Sequence, residues 1–314
     1  MGGPVTITLW GWLFATLVMA WQPDPAALLP LYRQALTERE KQLGPVHPTV
    51  ARAASDLGLF LRNQGDRAAA EPLLRLALQI DEKALGENSR VTGEDLENLA
   101  SVLPSADALP LVRRAAEHPD PAIAARNLAR LAAGAESKQV ALPLYRRALS
   151  KEEAASGSSH PRVAVRLNDV ALLVEPAQAE PLLRRALAIQ EKSLGPRHPE
   201  TAVTLNNLAN VLLATNRATQ AEPLARTALS VLEAALGPDH RRVATSASNL
   251  ADILRAKKDT VGARRLYERA LAIDEKAYGP KHPEVAADIE NLAGLLDEMG
   301  LRDEARRLRL RAAP

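Results

Sequence analysis

The chain has 314 residues, with 40 basic against 38 acidic side chains and no cysteine. Balanced charge excludes a broad electrostatic footprint for nucleic acid, and the missing cysteines exclude disulfides, thiolate nucleophiles and cysteine-based metal sites. Aromatic residues are only 3% of the chain, so its core must rest on close contacts of alanine and leucine rather than on large rings.

Residues 1 to 23, MGGPVTITLWGWLFATLVMAWQP, carry no charged side chain and hold all three tryptophans, Trp10, Trp12 and Trp21. The apolar stretch from about Ile7 to Ala20 is short for a membrane span and long enough for a signal-peptide core, and Val18-Met19-Ala20 is similar to a cleavage site. No Lys or Arg precedes it, so three readings stay open. One is a cleaved signal peptide and a periplasmic or extracellular protein. The second is an N-terminal membrane anchor, and the third is a miscalled start codon with a cytoplasmic chain.

After Pro23-Asp24-Pro25 the pattern predicts a helix over 26–43 that stops at Gly44-Pro45. From there to residue 314 the chain repeats itself, with units starting near 44, 86, 118, 157, 195, 237 and 279; the last three are 42 residues apart. Such a period means stacked supersecondary units, each unable to bury its apolar face alone.

The unit at Gly195 states the pattern most clearly. Ala202, Leu205, Leu208, Ala209 and Leu212 fall three or four apart and predict one helix, called A. Ala221, Leu224, Ala228, Leu232 and Ala235 predict a second, called B, after a polar break at Thr215-Asn216-Arg217. His198 is placed to cap helix A with Pro199 at its first position, and Pro223 is expected in the first turn of B, where its missing N–H forfeits nothing. Small residues recur where A and B must approach: Gly58, Ala100, Ala129, Ala171, Ala209, Ala251 and Ala293 in A, and Ala35, Ala77, Ala115, Ala148, Ala186, Ala228, Ala270 and Ala312 in B.

Two units are short. Asn98 to Pro110 and Asp169 to Pro181 each span 12 residues, against 16 from Asn207 to Pro223, a loss of about one helical turn. A local kink or a shallower groove is expected near 100–125 and 170–182, while the unit at 118 keeps standard length.

The Leu-Gly/Ala pair of helix A together with Ala221 and Ala228 of helix B resembles the tetratricopeptide repeat. The longer stride, with the phrase AEPLLRRALAIQEKSLGPRHPE from Ala179 to Glu200, is similar to the variant found in kinesin light chains. That resemblance implies an all-α fold, a right-handed α-solenoid of stacked antiparallel helix pairs, and non-catalytic scaffold work. Its inward-facing positions would fall at Asn98, Asn127, Asn207, Asn249 and Asn291, with Asp56 and Asp169 in the same place. Neighbouring groove positions would be Arg126, Arg130, Asn168, Asn206, Asn210, Asp252, Arg255, Glu97 and Glu290.

Asn is about 0.5–0.7 kcal/mol worse than Ala inside a helix, so a row of them needs a reason. Either the amides bond the backbone of a bound peptide, or each bonds the adjacent helix. The six histidines, His47, His118, His160, His198, His240 and His282, share one repeat position. Whole helix pairs separate them, so they cannot converge on one metal and are read as caps. The sequence holds no phosphate loop, no H-E-x-x-H and no Gly-x-Ser-x-Gly, and no cofactor or metal is expected. The chain reads as a scaffold holding an extended peptide or helix of another protein in the groove. A self-association module and a regulatory subunit of a multi-component enzyme system are the alternatives.

Overall fold

The computed structural model describes residues 25–312, in which every regular element is an α-helix. In order these are α1 Pro25–Leu43, α2 Pro48–Asn63, α3 Arg67–Leu85, α4 Arg90–Ala100, α5 Ser105–Ala116, α6 Pro121–Ala133, α7 Lys138–Ser156, α8 Pro161–Ala171, α9 Pro176–Ser193, α10 Pro199–Ala214, α11 Ala218–Leu236, α12 Arg241–Ala256, α13 Thr260–Tyr278, α14 Pro283–Glu298 and α15 Arg302–Ala312. Even-numbered helices are A helices and odd-numbered ones B. The segment read as a signal peptide or anchor lies outside the described residues. Among those residues no helix is long and apolar enough to cross a membrane.

The chain divides into two compact units, the first running through Ile123 and the second from Ala124 onward, so the division falls inside α6. Each is an all-α stack with its own core. The first is centred on Val50, Leu57, Leu74, Leu96 and Ile123; the second on Leu208, Leu232, Leu250, Tyr267 and Leu292.

Caps and turns explain why each helix begins and ends where it does. In α2, α8, α10, α12 and α14 the histidine Nδ1 accepts the backbone N–H two residues on, at 3.1–3.2 Å. Most B helices hand over to the next A helix through a glycine. Gly86 and Gly237 sit at φ 86°, ψ 157° and φ 87°, ψ 158°, a region essentially closed to residues with a Cβ. The connection after α5 has no such glycine, and the histidine there behaves differently. His118 is buried, its Nδ1 accepts from Asp120 N–H at 3.0 Å, and its Nε2 faces the Ser89 carbonyl at 3.0 Å. Capping passes to Asp120, whose Oδ1 accepts from Ala122 N–H at 2.8 Å. Helix α6 therefore starts late and has 13 residues rather than 16, which corrects the expectation of standard length for that unit. Gly93 makes room for the inturned ring, since a Cβ there would lie 2.5 Å from Ile123 Cδ1 and 3.0 Å from His118 Nε2.

The proline reading also needs correction. Pro30, Pro72, Pro110, Pro143, Pro181 and Pro223 are each the sixth residue of a B helix, a turn beyond the orphan N–H groups. Each of these six helices forgoes one intrahelical bond there and continues nonetheless, held by burial of its apolar stripe, while α13 and α15 carry no proline. The close A–B approach is as expected. Ala77, Ala115, Ala148, Ala186, Ala228 and Ala270 are all fully buried, whereas Ala35 of α1 is only half-buried. At Gly58 a Cβ would meet Leu74 Cγ at 2.8 Å.

Candidate partner-binding face

The row of Asn and Asp side chains on the A helices is not uniform, and what each position bonds to sorts it. Asn168 is 9% exposed, and its Nδ2 donates to the Ala164 carbonyl and to Thr204 Oγ1, both at 2.9 Å. Its Oδ1 accepts from Asn207 Nδ2 at 2.9 Å, while Thr204 donates to Gln190 Oε1 at 2.6 Å. These four side chains form a continuous polar chain across α8, α9 and α10, and such a network fixes helix register when every member is satisfied. Asn206 is also buried, at 6%, and accepts from Ser246 Oγ of α12 at 3.3 Å. Asn127 is 2% exposed on α6, where Arg126 is half-buried and Arg130 exposed. Asn127, Asn168 and Asn206 therefore lie within the packing and off the open surface that the repeat resemblance implied for them. In α8 the row position is Asp169, paired with Arg166 at 2.8 Å.

Other members keep their amides available. Asn249 on α12, Asn291 on α14 and Asn210 on α10 are half-buried, and their side chains have no hydrogen-bond partner among the described residues. Asn98 on α4 reaches Ser55 Oγ only at 3.5 Å, the outer limit of a hydrogen bond. Around Asn249 and Asn291 the charged groups are braced. Arg255 of α12 grips Glu298 of α14 through two bonds of 2.6 and 3.0 Å, and Arg309 of α15 holds Glu290 and Asp297 at 2.7–2.9 Å. Asp252 accepts from the hydroxyl of fully buried Tyr267. Burial raises both the Asp252 carboxyl and the Tyr267 hydroxyl.

Two hollows open on the A helices. In the second unit the early stop of α8 at Ala171 leaves α10 running past it, and a hollow of about 200 Å³ forms against Leu172, Val174, Asn207, Asn210 and Val211. Leu172 is 67% exposed there. In the first unit a slot of about 490 Å³ runs between α2 and α4, with Arg52, Ser55, Asp56, Glu94 and Asn98 on its walls and Asp81 and Asp95 lining it.

The sequence pattern reads Asp81-Glu82 and Asp274-Glu275 as solvated helix-face ion pairs beside Lys83 and Lys276; the burial of Asp81 and Asp274 corrects that, and a register marks Asp81 and its partner Asp95. They stand five residues before and nine after the turn glycine Gly86, and Gln190 and Thr204 stand likewise about Gly195, as Asp274 and Asp288 do about Gly279. Both Asp pairs are buried, with the two acids of each pair hydrogen-bonded to one another; no cation among the described residues opposes the charge of Asp81 and Asp95, whereas His282 does so at Asp274. Burial, then the neighbouring carboxylate, push Asp95 up to about 8 and Asp288 to about 7. With one proton shared, each pair reproduces the donor and acceptor of the Thr204–Gln190 bond. Among the described residues no group of three or more potential metal ligands is found.

Profiles described as tetratricopeptide repeat match residues 50–90, 171–234, 208–276 and 242–313, more than half of the chain. No curated protein matches. Among solved structures, a Rap protein complexed with Competence and Sporulation Factor matches at TM-score 0.60 and 14% identity, covering 83% of this chain and 75% of that one. The apo form of RapI matches at TM-score 0.54 and 13% identity, covering 84% and 75%. These two likenesses are of fold. A putative kinesin light chain from Podosopora anserina with TPR-like repeats gives a TM-score of 0.38 at 20% identity, covering 74% and 97%. The chain belongs to the tetratricopeptide repeat family of protein–protein interaction scaffolds.

Proposed function

We propose that the chain is a non-catalytic scaffold whose A helices receive an extended peptide or a short helix of a partner protein. The observation that carries this reading is the pair Asn249 and Asn291, one repeat apart on α12 and α14, with half-buried side-chain amides that have no hydrogen-bond partner among the described residues. A carboxamide both donates and accepts, as a peptide backbone does, so two at repeat spacing can hold an extended segment without reading its side chains. The ion pairs Arg255–Glu298 and Arg309–Glu290 brace the surface around them, so little ordering entropy is lost by the receptor on binding.

Selection of a displayed library of random linear peptides against the full chain tests this. Peptides that bind the native chain are expected to lose affinity about tenfold for a variant carrying Asn249→Ala and Asn291→Ala, with an unchanged melting temperature. Equal affinity for the variant, or a matching loss of stability, would sink the reading.

A further inference from the structure

We propose that the slot between α2 and α4 is a receptor for one basic side chain, a lysine or arginine of a partner segment, whose cationic head displaces the proton shared by Asp81 and Asp95. This adds a recognised chemistry to the scaffold reading but uses residues of the other unit, so each can fail alone.

The slot, about 490 Å³, has the volume for a long side chain. Its lining carboxyls are the chain's own unmet need: Asp81 and Asp95 are 3% and 4% exposed, and Asp81 Oδ1 and Asp95 Oδ2 are buried without a donor. A buried carboxylate without donors costs several kcal/mol, which the chain relieves by holding a proton between the two acids. An ammonium or guanidinium would relieve it better, since it brings both charge and several donors. Charged groups facing the pair do not supply that cation. On α2 stand Arg52 and Asp56, both exposed. On α3 Glu82 is held by Arg114 of α5 at 2.5 Å, and on α4 Glu94 is held by Arg90 at 3.0 Å. Arg52 is thus the one cation in the lining, against four acids. Apolar walls suit an aliphatic stem: Leu59 is half-buried, and Leu85 and Val91 are 45% and 44% exposed.

Displacement of the shared proton gives the proposal a signature. Binding of the cation releases a proton, so affinity must rise with pH through the range in which Asp95 holds it, up to about 8.

The test is an NMR titration of the isotope-labelled full chain with a short capped alanine peptide carrying a central lysine, and with the same peptide carrying norleucine instead. The lysine peptide is expected to shift amide signals of α2 and α4 saturably and to bind more tightly at pH 8 than at pH 6. It should bind about tenfold more weakly to the Asp81→Asn, Asp95→Asn variant, and more tightly to Arg52→Ala. Equal binding of the norleucine peptide, equal binding to the Asn variant, or no saturable shift overturns the proposal. Should the double Asn variant misfold, the pH dependence and the Arg52→Ala arm decide. The Asn249→Ala, Asn291→Ala variant is expected to keep native affinity for the lysine peptide; a loss there would place the site elsewhere and overturn the proposal too.

Discussion

Thr204 donates its hydroxyl hydrogen to Gln190 Oε1 at 2.6 Å in the register where the turns at Gly86 and Gly279 place Asp81 with Asp95 and Asp274 with Asp288. A neutral donor–acceptor pair needs no proton from solvent, whereas a carboxyl pair needs one. The folded chain therefore binds protons that the unfolded chain has lost.

Stability should consequently fall as pH rises. Asp95 and Asp288 are raised from the ordinary 3.8 to about 8 and about 7, so between about pH 4 and pH 8 the folded state holds more protons than the unfolded state. Their contribution is intact below the unfolded value and is lost as pH climbs through the folded values. Differential scanning calorimetry is expected to show a lower melting temperature at pH 9 than at pH 6, with about 2–4 °C for each kcal/mol lost. Asp95→Asn with Asp288→Asn should flatten that slope, and a slope unchanged in the variant would refute the shared proton.

Overpacking the A–B contact should destabilise it. Ala228 is fully buried in α11, and Leu there must displace the neighbouring core at a cost of about 1–3 kcal/mol. An Ala228→Leu chain with an unshifted melting temperature would contradict the packing.

The turn glycines should resist substitution for a backbone reason alone. At Gly237 nothing lies within 4 Å of where a Cβ would sit, yet φ 87° with ψ 158° excludes one. Gly237→Ala is expected to cost about 1–3 kcal/mol. Urea titration checks this, and a cost near zero would mean that the turn has an alternative conformation.

Much of the fold was legible because one sentence is written several times. Any pattern that survives in Gly195, Gly237 and Gly279 and their sequels must answer to a shared contact, so caps, turn glycines and small packing residues could be read directly. What was not legible is where the copies differ in partner rather than in type. Asn207 and Asn249 look alike in sequence, but Asn207 donates to Asn168, whereas Asn206, at the same repeat position as Asn168, accepts from Ser246, and Asn249 has no such bond among the described residues. His118 likewise copies the other histidines in sequence, but with no preceding turn glycine its ring faces the Ser89 carbonyl. The acid pairs were hidden for a related reason: each half lies on a different helix, and in Asp81-Glu82-Lys83 the buried acid resembles its solvated neighbours.

Capping should be separable from ring packing at His198. Its Nδ1 accepts from Glu200 N–H at 3.1 Å, a role that an Asp or Asn oxygen fills. His198→Ala is expected to cost about 0.5–2 kcal/mol and His198→Asp to recover most of it. If Asp fared no better than Ala, the imidazole would be acting through packing instead.

The sharpest contrast concerns the amides themselves. Asn168 holds three bonds in a buried network, so Asn168→Ala leaves the Thr204 hydroxyl oxygen without its donor and the Asn207 amide without its acceptor. Each buried polar group left unsatisfied costs about 1–3 kcal/mol. The Asn249 side chain has no hydrogen-bond partner among the described residues, and replacing it by Ala removes a poor interior helix former, a gain of about 0.5 kcal/mol. Chemical denaturation should therefore separate the two: Asn168→Ala clearly destabilised, Asn249→Ala neutral or slightly more stable. The side chain that stability does not need is the one that binding is expected to use. Comparable destabilisation by both substitutions would mean that Asn249 packs as Asn168 does, and the row would then serve the fold alone.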